Sequence, residues 1–350
     1  MGITKIETYN SISIITNPVF NLLIFGKPIK INKYGKEYYI QENEDLVIET
    51  DIVKNNGNMI DISKIYQDKF RLRNLFYLIS LYYQYEDEIK ENGKVIFSLS
   101  NYVNSLFNRY ISNIDIDKYT SLFTIISNIV ISNCEKNLDS KNNNGKKYNY
   151  NKNIIDELHD NNKLNLLNIK FYYEDIKDIK TYFIVLEKTP LLDIFTKYGL
   201  NNEFPIVFFR KLNRKTDMSF YLAYSLFRYQ RVSYNKKKGF NIGLLSLLNN
   251  FEIGKELINM INNSSRKQET INNKIVKPLQ DVILSLFEID KLNTFVISND
   301  LNKTLLTIQT KEDIYNLKNI IRTKNYKSLK FFIDFKKTSK NDKTISKKDE

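Results

Sequence analysis

A chain of 350 residues with 42% hydrophobic and 13% aromatic residues can bury the cores of two ordinary domains, so disorder is not expected. Its single cysteine, Cys134, and single histidine, His159, exclude an internal disulfide, a Cys/His zinc site and a histidine-pair nicking enzyme. Because no phosphate-binding loop and no dinucleotide-binding glycine motif occurs, we expect no cofactor and no nucleotide-driven or hydride-transfer chemistry.

The net charge of +13 is confined to the C-terminal part of the chain. Residues 1–200 hold 25 Lys+Arg and 25 Asp+Glu, whereas residues 201–350 hold 28 and 15. An AT-rich coding bias would enrich lysine throughout, but a polyanionic partner explains the asymmetry, because cations that neutralise phosphates release counterions. The alternative is a basic tail on an ordinary domain. Residues 201–290 alone hold 14 basic and 8 acidic residues, so the folded part is basic too.

Targeting and membrane signals are missing from the sequence. The apolar run 12–23 is broken by Pro18 and by polar residues, and no stretch of about 18 apolar residues occurs. We therefore expect a soluble, cytoplasmic protein with no membrane partner.

In the first 200 residues the pattern of apolar residues changes at about residue 66, from short strand-like runs to helical spacing. Residues 1–65 form a β-rich extension, with strands expected at 11–15, 38–40 and 46–50. Helical spacing then predicts a helix from Asp68 to Glu91, ended by Asn92-Gly93. The elements expected next are a strand at 95–97, a helix capped by Ser98 or Ser100, a helix opened by Asp115 or Asp117, a polar insertion at 136–153, a hairpin at 167–173 and 181–186, and a short helix from Pro190. His159, in a polar run, is predicted to be a solvated surface residue.

The same order returns after residue 200. The expected elements are a helix at 218–234, a strand at 240–242, a helix at 244–248, a long link at 251–269, a helix from Thr270 to Phe287, a hairpin at 295–297 and 305–308, and a helix at 314–321. Helix, strand, helix, helix and hairpin is the order of a winged helix. The sequence thus predicts a helix-rich α+β protein with two tandem winged-helix domains, 66–200 and 201–335, between the 1–65 extension and a basic disordered tail at 336–350.

Candidate DNA contacts lie mostly on the third helix of the second predicted domain. A recognition helix places its N-terminal residues near base edges in the major groove, where arginine prefers guanine and asparagine prefers adenine. Ser264-Ser265 could cap this helix. The exposed-face candidates are Arg266, Lys267, Thr270, Asn273, Lys274 and Lys277. The alternative is a solvated face that carries Asn and Lys through coding bias.

Further cations suit contacts to the DNA backbone. The candidates are Arg210, Lys211, Arg214 and Lys215 before the long helix, Lys236, Lys237 and Lys238 in a turn, and Asn302 and Lys303 at the hairpin tip. Each could equally be an ordinary solvated turn. The aromatic series Phe220, Tyr221, Tyr224 and Phe227 could stack on bases, but its helical spacing favours core packing.

Three local patterns resemble the replication initiators of iteron-bearing bacterial plasmids, the Rep family with two tandem winged helices. They are Val95–Leu99 leading into a helix, the 169–186 hairpin followed by Leu191–Phe195, and Ser219–Tyr229 later joined by Val276–Ile283. The resemblance covers roughly residues 66–320. The longer N-terminus, the 136–153 insertion and the 251–269 link depart from the family pattern.

The resemblance implies a non-catalytic protein that binds double-stranded DNA. Its second winged helix would grip repeated origin sites, and its first would form a homodimer or contact a second stretch of DNA. The family opens an AT-rich origin and recruits the host replication machinery.

Two other functions stay open at this point. A transcriptional repressor with the same fold has the same sequence features. A DNA-nicking enzyme could use a tyrosine, or a metal held by Asp175 and Glu187 with Lys188 nearby. The run Glu86-Asp87-Glu88 could bind Mg²⁺, but consecutive carboxylates on a helix point in different directions, so a solvated face is expected.

Overall fold

The protein has an α+β architecture in two compact units, Met1–Glu203 and Phe204–Glu350. The first unit holds 25 Lys+Arg and 26 Asp+Glu, and the second holds 28 and 14. The structure is a computed structural model that describes residues 2–6, 12–16, 29–33, 36–42, 46–51, 54–55, 58–59, 69–133, 164–176, 178–197, 201–205, 217–227, 239–249, 252–299 and 301–336. The 136–153 insertion, Cys134, His159 and the tail after Lys336 lie outside these residues.

The first unit contains five described helices and the strands β1 to β11. The helices are α1 Lys69–Gln84, α2 Glu86–Asn92, α3 Leu99–Phe107, α4 Asn113–Ser127 and α5 Pro190–Lys197. The strands are β1 Ile12–Thr16, β2 Ile29–Lys33, β3 Lys36–Glu42, β4 Leu46–Asp51, β5 Lys54–Asn55, β6 Asn58–Met59, β7 Lys94–Ser98, β8 Ile129–Asn133, β9 Leu164–Asn165, β10 Asn168–Ile176 and β11 Ile179–Glu187. A further strand, β12 Asn201–Pro205, lies across the boundary between the units.

The N-terminal strands share a sheet with strands that follow α4. Its order is β2-β3-β4-β8-β9, and β4 pairs antiparallel with β8 from Leu46↔Asn133 to Thr50↔Ile129. The sequence predicted the strands at 38–40 and 46–50, which β3 and β4 confirm. It did not predict their pairing with β8, because the partner lies about 80 residues further along the chain.

A second sheet in this unit has the order β10-β11-β7. The strand that precedes α3 therefore pairs with the return strand of the hairpin, from Phe183↔Ser98 to Glu187↔Lys94. On the other side of β7, the amide of Thr4 donates to the carbonyl of Ile96 at 2.8 Å. The N-terminal residues thus cover the edge of this strand, which otherwise would offer unpaired backbone groups.

The helices of the first unit meet in a core rich in tyrosine. Tyr77, Tyr102 and Tyr119 are fully buried, and the Tyr102 hydroxyl donates to the side-chain oxygen of Asn74 at 2.8 Å. Burial of these rings contributes much of the stability, provided that their hydroxyls find partners.

Two predicted boundaries in this unit are wrong in detail. The helix expected at 68–91 is interrupted at Tyr85, although Gly93 ends it as expected in the left-handed region, with φ 73°. The helix expected to open at Asp115 or Asp117 begins at Asn113. Asp115 is instead the third residue of a capping box, in which its carboxylate accepts from Ser112.

The second unit contains one long interrupted helix and a four-stranded sheet. Its described helices are α6 Asp217–Phe227, α7 Leu244–Asn249, α8 Glu252–Asn263, α9 Lys267–Ile271, a π-helical segment Asn272–Val276, α10 Lys277–Glu288, α11 Lys311–Tyr315 and α12 Leu317–Ile320. Its strands are β13 Phe240–Gly243, β14 Leu292–Ser298, β15 Thr304–Ile308 and β16 Lys330–Phe335.

The sheet order in this unit is β13-β16-β14-β15. The predicted hairpin is confirmed as β14 and β15, but β13 pairs with β16 rather than with the hairpin. β16 then pairs with β14 on its other side. The sequence analysis missed β16, although Phe331, Ile333 and Phe335 alternate as a half-buried strand requires.

Three expectations for the second unit need correction. The link expected at 251–269 contains the helix α8, whose Leu257 and Ile261 lie four residues apart on its buried face. The third helix begins at Lys267, not at Thr270. The helix expected at 314–321 is two short helices separated at Asn316. Of the helix expected at 218–234, residues 228–234 lie outside the described part.

Among the helices in the described part of the chain, none is both long enough and apolar enough to cross a membrane.

Candidate nucleic-acid interface

The helix that carries most of the candidate contacts is continuous from Lys267 to Glu288 but changes pitch in its middle. The amide of Lys277 bonds to the carbonyl of Asn272, five residues back. Pro278 explains this step, because proline has no N–H and its ring clashes with the carbonyl four residues before it in an α-helix. The five-residue step shifts the Lys277 amide from the carbonyl of Asn273 to that of Asn272.

One face of this helix is anchored in the core and the opposite face is open to solvent. Ile271, Ile275 and Leu279 are all fully buried. The predicted contacts on the opposite face are exposed at Arg266, Lys267, Asn273, Lys274 and Lys277, and Thr270 is half-buried. The helix thus brings together the six residues that the sequence analysis grouped.

The polar groups of this face differ in how firmly they are engaged. The Thr270 hydroxyl lies 3.2 Å from the carbonyl of Arg266 and 3.3 Å from the Ser264 hydroxyl, so it serves the helix itself. Lys277 donates to the Asn273 side-chain oxygen at 2.9 Å, an exposed contact that a ligand can replace. The face therefore presents asparagine and lysine groups more readily than threonine.

A single carboxylate interrupts the positive charge. Glu269 lies 3.6 Å from Arg266, and the two side chains are 60% and 80% exposed. An exposed pair of this kind contributes little stability, so Arg266 can exchange this partner for another anion. Near DNA, Glu269 would repel phosphates but could accept from a cytosine amino group.

The start of the helix differs from the predicted serine cap. Arg266 is the residue at the N-cap position, and its side chain makes no capping hydrogen bond. The Ser264 hydroxyl accepts instead from the amide of Arg266 at 3.0 Å. It therefore orders the approach to the helix rather than satisfying the amides of the first turn.

The tip of the second-unit hairpin holds the other two described candidates. Asn302 and Lys303 are exposed, and Asn302 has a left-handed backbone with φ 59°. The Asn299 side chain accepts from the amide of Lys303 at 2.8 Å, and the amide of Asn302 donates to the carbonyl of Asn299 at 3.0 Å. These hydrogen bonds form a tight turn that fixes the backbone position of Lys303.

A cationic turn after α12 was missed by the sequence analysis. We call residues 322–327 the basic turn, and its Arg322, Lys324 and Lys327 are exposed. The sequence did carry a signal, because residues 314–333 contain five Lys or Arg and no Asp or Glu. The buried Tyr326 anchors the turn, and burial raises the pKa of its phenol.

The remaining predicted contacts lie outside the described residues, so the structure does not place them. They are Arg210, Lys211, Arg214, Lys215, Lys236, Lys237 and Lys238. The aromatic series on α6 is described at Phe220, Tyr221 and Tyr224, which are 3%, 2% and 3% exposed. The prediction that these three rings pack in the core is confirmed.

The carboxylates considered for metal-dependent cleavage do not converge. In the hairpin register Glu187 pairs with Asn168 and Asp175 pairs with Lys180, so seven residues separate the two carboxylates along the strands. At about 3.4 Å per residue the separation is about 24 Å, too far for one metal ion. The Glu187 carboxylate forms an ion pair with the Lys170 ammonium at 2.6 Å.

The acidic run at the start of α2 behaves as an ordinary helix face. Glu86 pairs with Lys90 at 2.6 Å, and Glu88 accepts from Thr4 at 2.8 Å. Within the described ranges, no three His, Cys, Asp or Glu side chains are grouped as a metal site would need.

Comparisons with known proteins identify no relative. No protein-family profile matches the chain, and neither a curated protein nor a solved structure is significantly similar to it.

Proposed function

We propose that this chain is a sequence-specific double-stranded DNA-binding protein built on two tandem winged helices. In this proposal the C-terminal unit inserts the Lys267–Glu288 helix into a major groove and places the hairpin tip at 299–303 against the neighbouring backbone. The observation that carries the proposal is the exposed cationic face of that helix, opposite the buried Ile271, Ile275 and Leu279.

The order of elements supports the winged-helix part of the proposal. Both units contain a strand followed directly by a helix, β7 before α3 and β13 before α7, and later a β-hairpin. The strands β8 and β9 precede the hairpin of the first unit, and α8 precedes the long helix of the second. In the first unit the sheet order β10-β11-β7 joins the early strand directly to the hairpin. In the second unit β16 lies between the early strand and the hairpin in the sheet.

The charge of the second unit supports DNA rather than a neutral partner. This unit holds 28 Lys+Arg and 14 Asp+Glu, whereas the first unit holds 25 and 26. A surface that neutralises phosphates gains free energy from released counterions, so duplex binding should weaken steeply as salt rises.

Replication initiation is the biological role that we propose for this binding, on the strength of the resemblance to plasmid initiators. The second unit would bind directly repeated origin sites. The first would mediate homodimerisation or contact further DNA, and the complex would recruit the host replication machinery without covalent chemistry.

Selection of bound duplexes from a random pool tests the binding proposal. We expect one enriched sequence, and we expect it to recur as direct repeats near the chain's own coding region. Gel shifts should then show tighter binding to those repeats than to a shuffled duplex of equal composition, at the same salt concentration. Equal affinity for both duplexes would contradict sequence-specific initiation.

An incubation with supercoiled plasmid tests the non-catalytic part. The purified protein with Mg²⁺ should leave the plasmid supercoiled. Clean nicking would replace this part of the proposal with a DNA-cleaving enzyme.

A further inference from the structure

We propose that the basic turn, residues 322–327, is a second phosphate-binding element that Gln268 ties to the Lys267–Glu288 helix. The inference rests on the proposed DNA-binding function and extends it to residues that neither the sequence pattern nor the hairpin tip includes. The expected ligand is the DNA backbone, contacted beside the groove that the helix enters.

Gln268 joins the two elements through both ends of its side-chain amide. Its oxygen accepts from the amide of Thr323 at 2.9 Å and from the Thr323 hydroxyl at 3.2 Å. Its nitrogen donates to the carbonyl of Ile321 at 3.2 Å and to the Asn272 side chain at 3.0 Å. Three of these hydrogen bonds hold the turn against the first half of the helix, and the fourth, to Asn272, orients the Gln268 side chain.

The turn is also rigid by itself. The Asn325 side chain accepts from the amide of Arg322 at 2.8 Å and donates to the carbonyl of Ile320 at 2.9 Å. Ile321 and Tyr326, which flank Arg322 and Lys324 in the chain, are 0% and 2% exposed. A turn anchored at both ends loses little conformational entropy when it binds, so its cations are preorganised for a ligand.

The charge of the turn is uncompensated over a long stretch of sequence. Arg322, Lys324 and Lys327 are exposed, and the nearest acidic residues in the chain are Asp313 and Asp334. Arg322 donates its Nε to the carbonyl of Asn319 at 3.1 Å, which orients the guanidinium. Within the described part of the chain, this is the one hydrogen bond of the Arg322 side chain, so the terminal NH₂ groups can form the paired bonds that phosphate accepts.

The position of the turn distinguishes it from the other cations of this unit. Gln268 is the second residue of α9, so the turn lies near Arg266, Lys267 and the π segment. Lys311 and Lys336 instead pair with Glu288 and Asp290, at and just beyond the far end of the helix. At 1.5 Å per residue, that end is about 30 Å away from Gln268.

The test compares two double variants of the full-length protein on one selected duplex and on one shuffled duplex. In Arg322→Ala/Lys324→Ala, loss of two phosphate contacts should lower the slope of log K against log salt by about 1.8. Affinity at 0.15 M salt should fall about 30-fold on both duplexes, because phosphate contacts carry no sequence information. Lys311→Ala/Lys336→Ala removes the same charge and should leave the slope and the affinity within about twofold of wild type.

A third variant tests the role of Gln268 as a positioning residue. Gln268→Met keeps the size and every cation but removes the hydrogen bonds to Thr323 and Ile321. We expect weaker binding to both duplexes with an unchanged ratio between them, and faster hydrogen exchange at the Thr323 amide. Faster exchange at that amide with wild-type affinity would overturn the positioning role.

The outcomes separate this inference from the function on which it rests. If the wild type binds no duplex, the proposed function fails. If the wild type binds but Arg322→Ala/Lys324→Ala keeps its affinity and slope, or if both double variants lose them equally, the basic turn is not a phosphate-binding element.

Discussion

Each unit has a helix that lies between an early strand and the hairpin, α4 in the first and the Lys267–Glu288 helix in the second, and these two helices expose different side chains. In the first unit, α4 exposes Ile114, Asp117 and Lys118. In the second, the first three turns of the Lys267–Glu288 helix expose Lys267, Lys274 and Lys277 with one carboxylate, Glu269, and Arg266 is exposed just before the helix. Both helices bury an apolar face, so the difference is confined to the surface. The proposed DNA-binding role of the second unit therefore rests on its surface charge and not on its architecture.

The two hairpins differ in the same direction. The first-unit hairpin exposes Tyr173, Ile176 and Ile179 at 52%, 40% and 68% near its tip. The second-unit tip exposes Asn302 and Lys303 beside one apolar residue, Leu301. Apolar groups cannot replace phosphate counterions, so we expect only the second hairpin to contribute to the salt dependence of DNA binding.

The largest effect should come from the groove-facing cations. Arg266→Ala/Lys274→Ala should weaken binding to the selected duplex by about 1–3 kcal/mol for each residue that reads a base, and should reduce the preference over a shuffled duplex. Lys118→Ala, on the third helix of the first unit, is the matched control and should bind as wild type. A fluorescence titration at fixed salt measures both. Equal losses of affinity in the two variants would contradict the assignment of DNA binding to the second unit alone.

The packing of β16 in the second-unit sheet can be tested at Gly239, with Gly93 of the first unit as the comparison, because each glycine directly precedes a strand. Gly239 precedes β13, and a β-carbon there would lie 2.6 Å from the carbonyl oxygen of Ile333 in β16. Gly239→Ala should therefore destabilise the second unit by about 3 kcal/mol. Gly93 precedes β7 in open space with φ +73°, so Gly93→Ala should cost only the left-handed strain, about 1 kcal/mol.

Hydrogen exchange can assign each loss to its unit. Amides of β13 and β16 should lose protection in Gly239→Ala, and amides of β7 in Gly93→Ala. If β13 and β16 stay fully protected in Gly239→Ala, the close approach of β16 to Gly239 is wrong.

A partly buried ion pair gives the first unit an acid sensitivity of its own. The Arg109 guanidinium, bonded to Asp115 at two distances of 2.7 Å, and the Ser112 capping bonds hold the pKa of the Asp115 carboxyl well below its usual range. A lowered folded-state pKa stabilises the protein above the unfolded pKa of about 4, and this stabilisation is lost as the pH falls further. Asp115→Asn should lower the free energy of unfolding by about 2 kcal/mol at pH 7.

The pH profile separates this role from ordinary packing. Protection of the α4 amides should fall between about pH 5 and pH 2 in the wild type and change less in Asp115→Asn. Asp117→Asn, two residues further along and exposed, should keep the wild-type profile. A wild-type profile in Asp115→Asn would show that the ion pair does not stabilise the unit.

The smallest effect is expected at the hairpin tips. Lys303→Ala should remove one phosphate contact, with a loss of about 5-fold at 0.15 M salt and a slope change of about 0.9. Lys180 lies just after the first-unit tip, with its ammonium 5.0 Å from the centre of the Tyr173 ring. Lys180→Ala should leave the slope unchanged. A slope change in Lys180→Ala but not in Lys303→Ala would reverse the comparison of the hairpins.

Local patterns were sufficient to predict most of the elements. The apolar spacing of Ile271, Ile275 and Leu279 predicted both the third helix and its exposed face, because a helix returns to the same side every three to four residues. Both hairpins followed from alternating apolar residues around polar turns. The candidate contacts on the helix therefore came together in the structure as expected.

Contacts between distant residues could not be predicted in the same way. The insertion of β16 between β13 and β14 depends on pairing across more than 80 residues, which no local period records. The basic turn was not among the predicted contacts, and its position depends on Gln268, which is 55 residues before Thr323. The π segment arises from the local backbone effect of Pro278. The spacing of apolar residues in the sequence does not show how this segment rotates the exposed face of the helix.

Site-specific photo-crosslinking tests the central claim most directly, because it reports contact rather than affinity. In a Cys134→Ser background, a photoactivatable group is attached at Asn273→Cys or at Thr120→Cys, an exposed position on α4. We predict that the selected duplex crosslinks from position 273 and not from position 120. Crosslinking from 120 with none from 273 would contradict the assignment of DNA binding to the second unit.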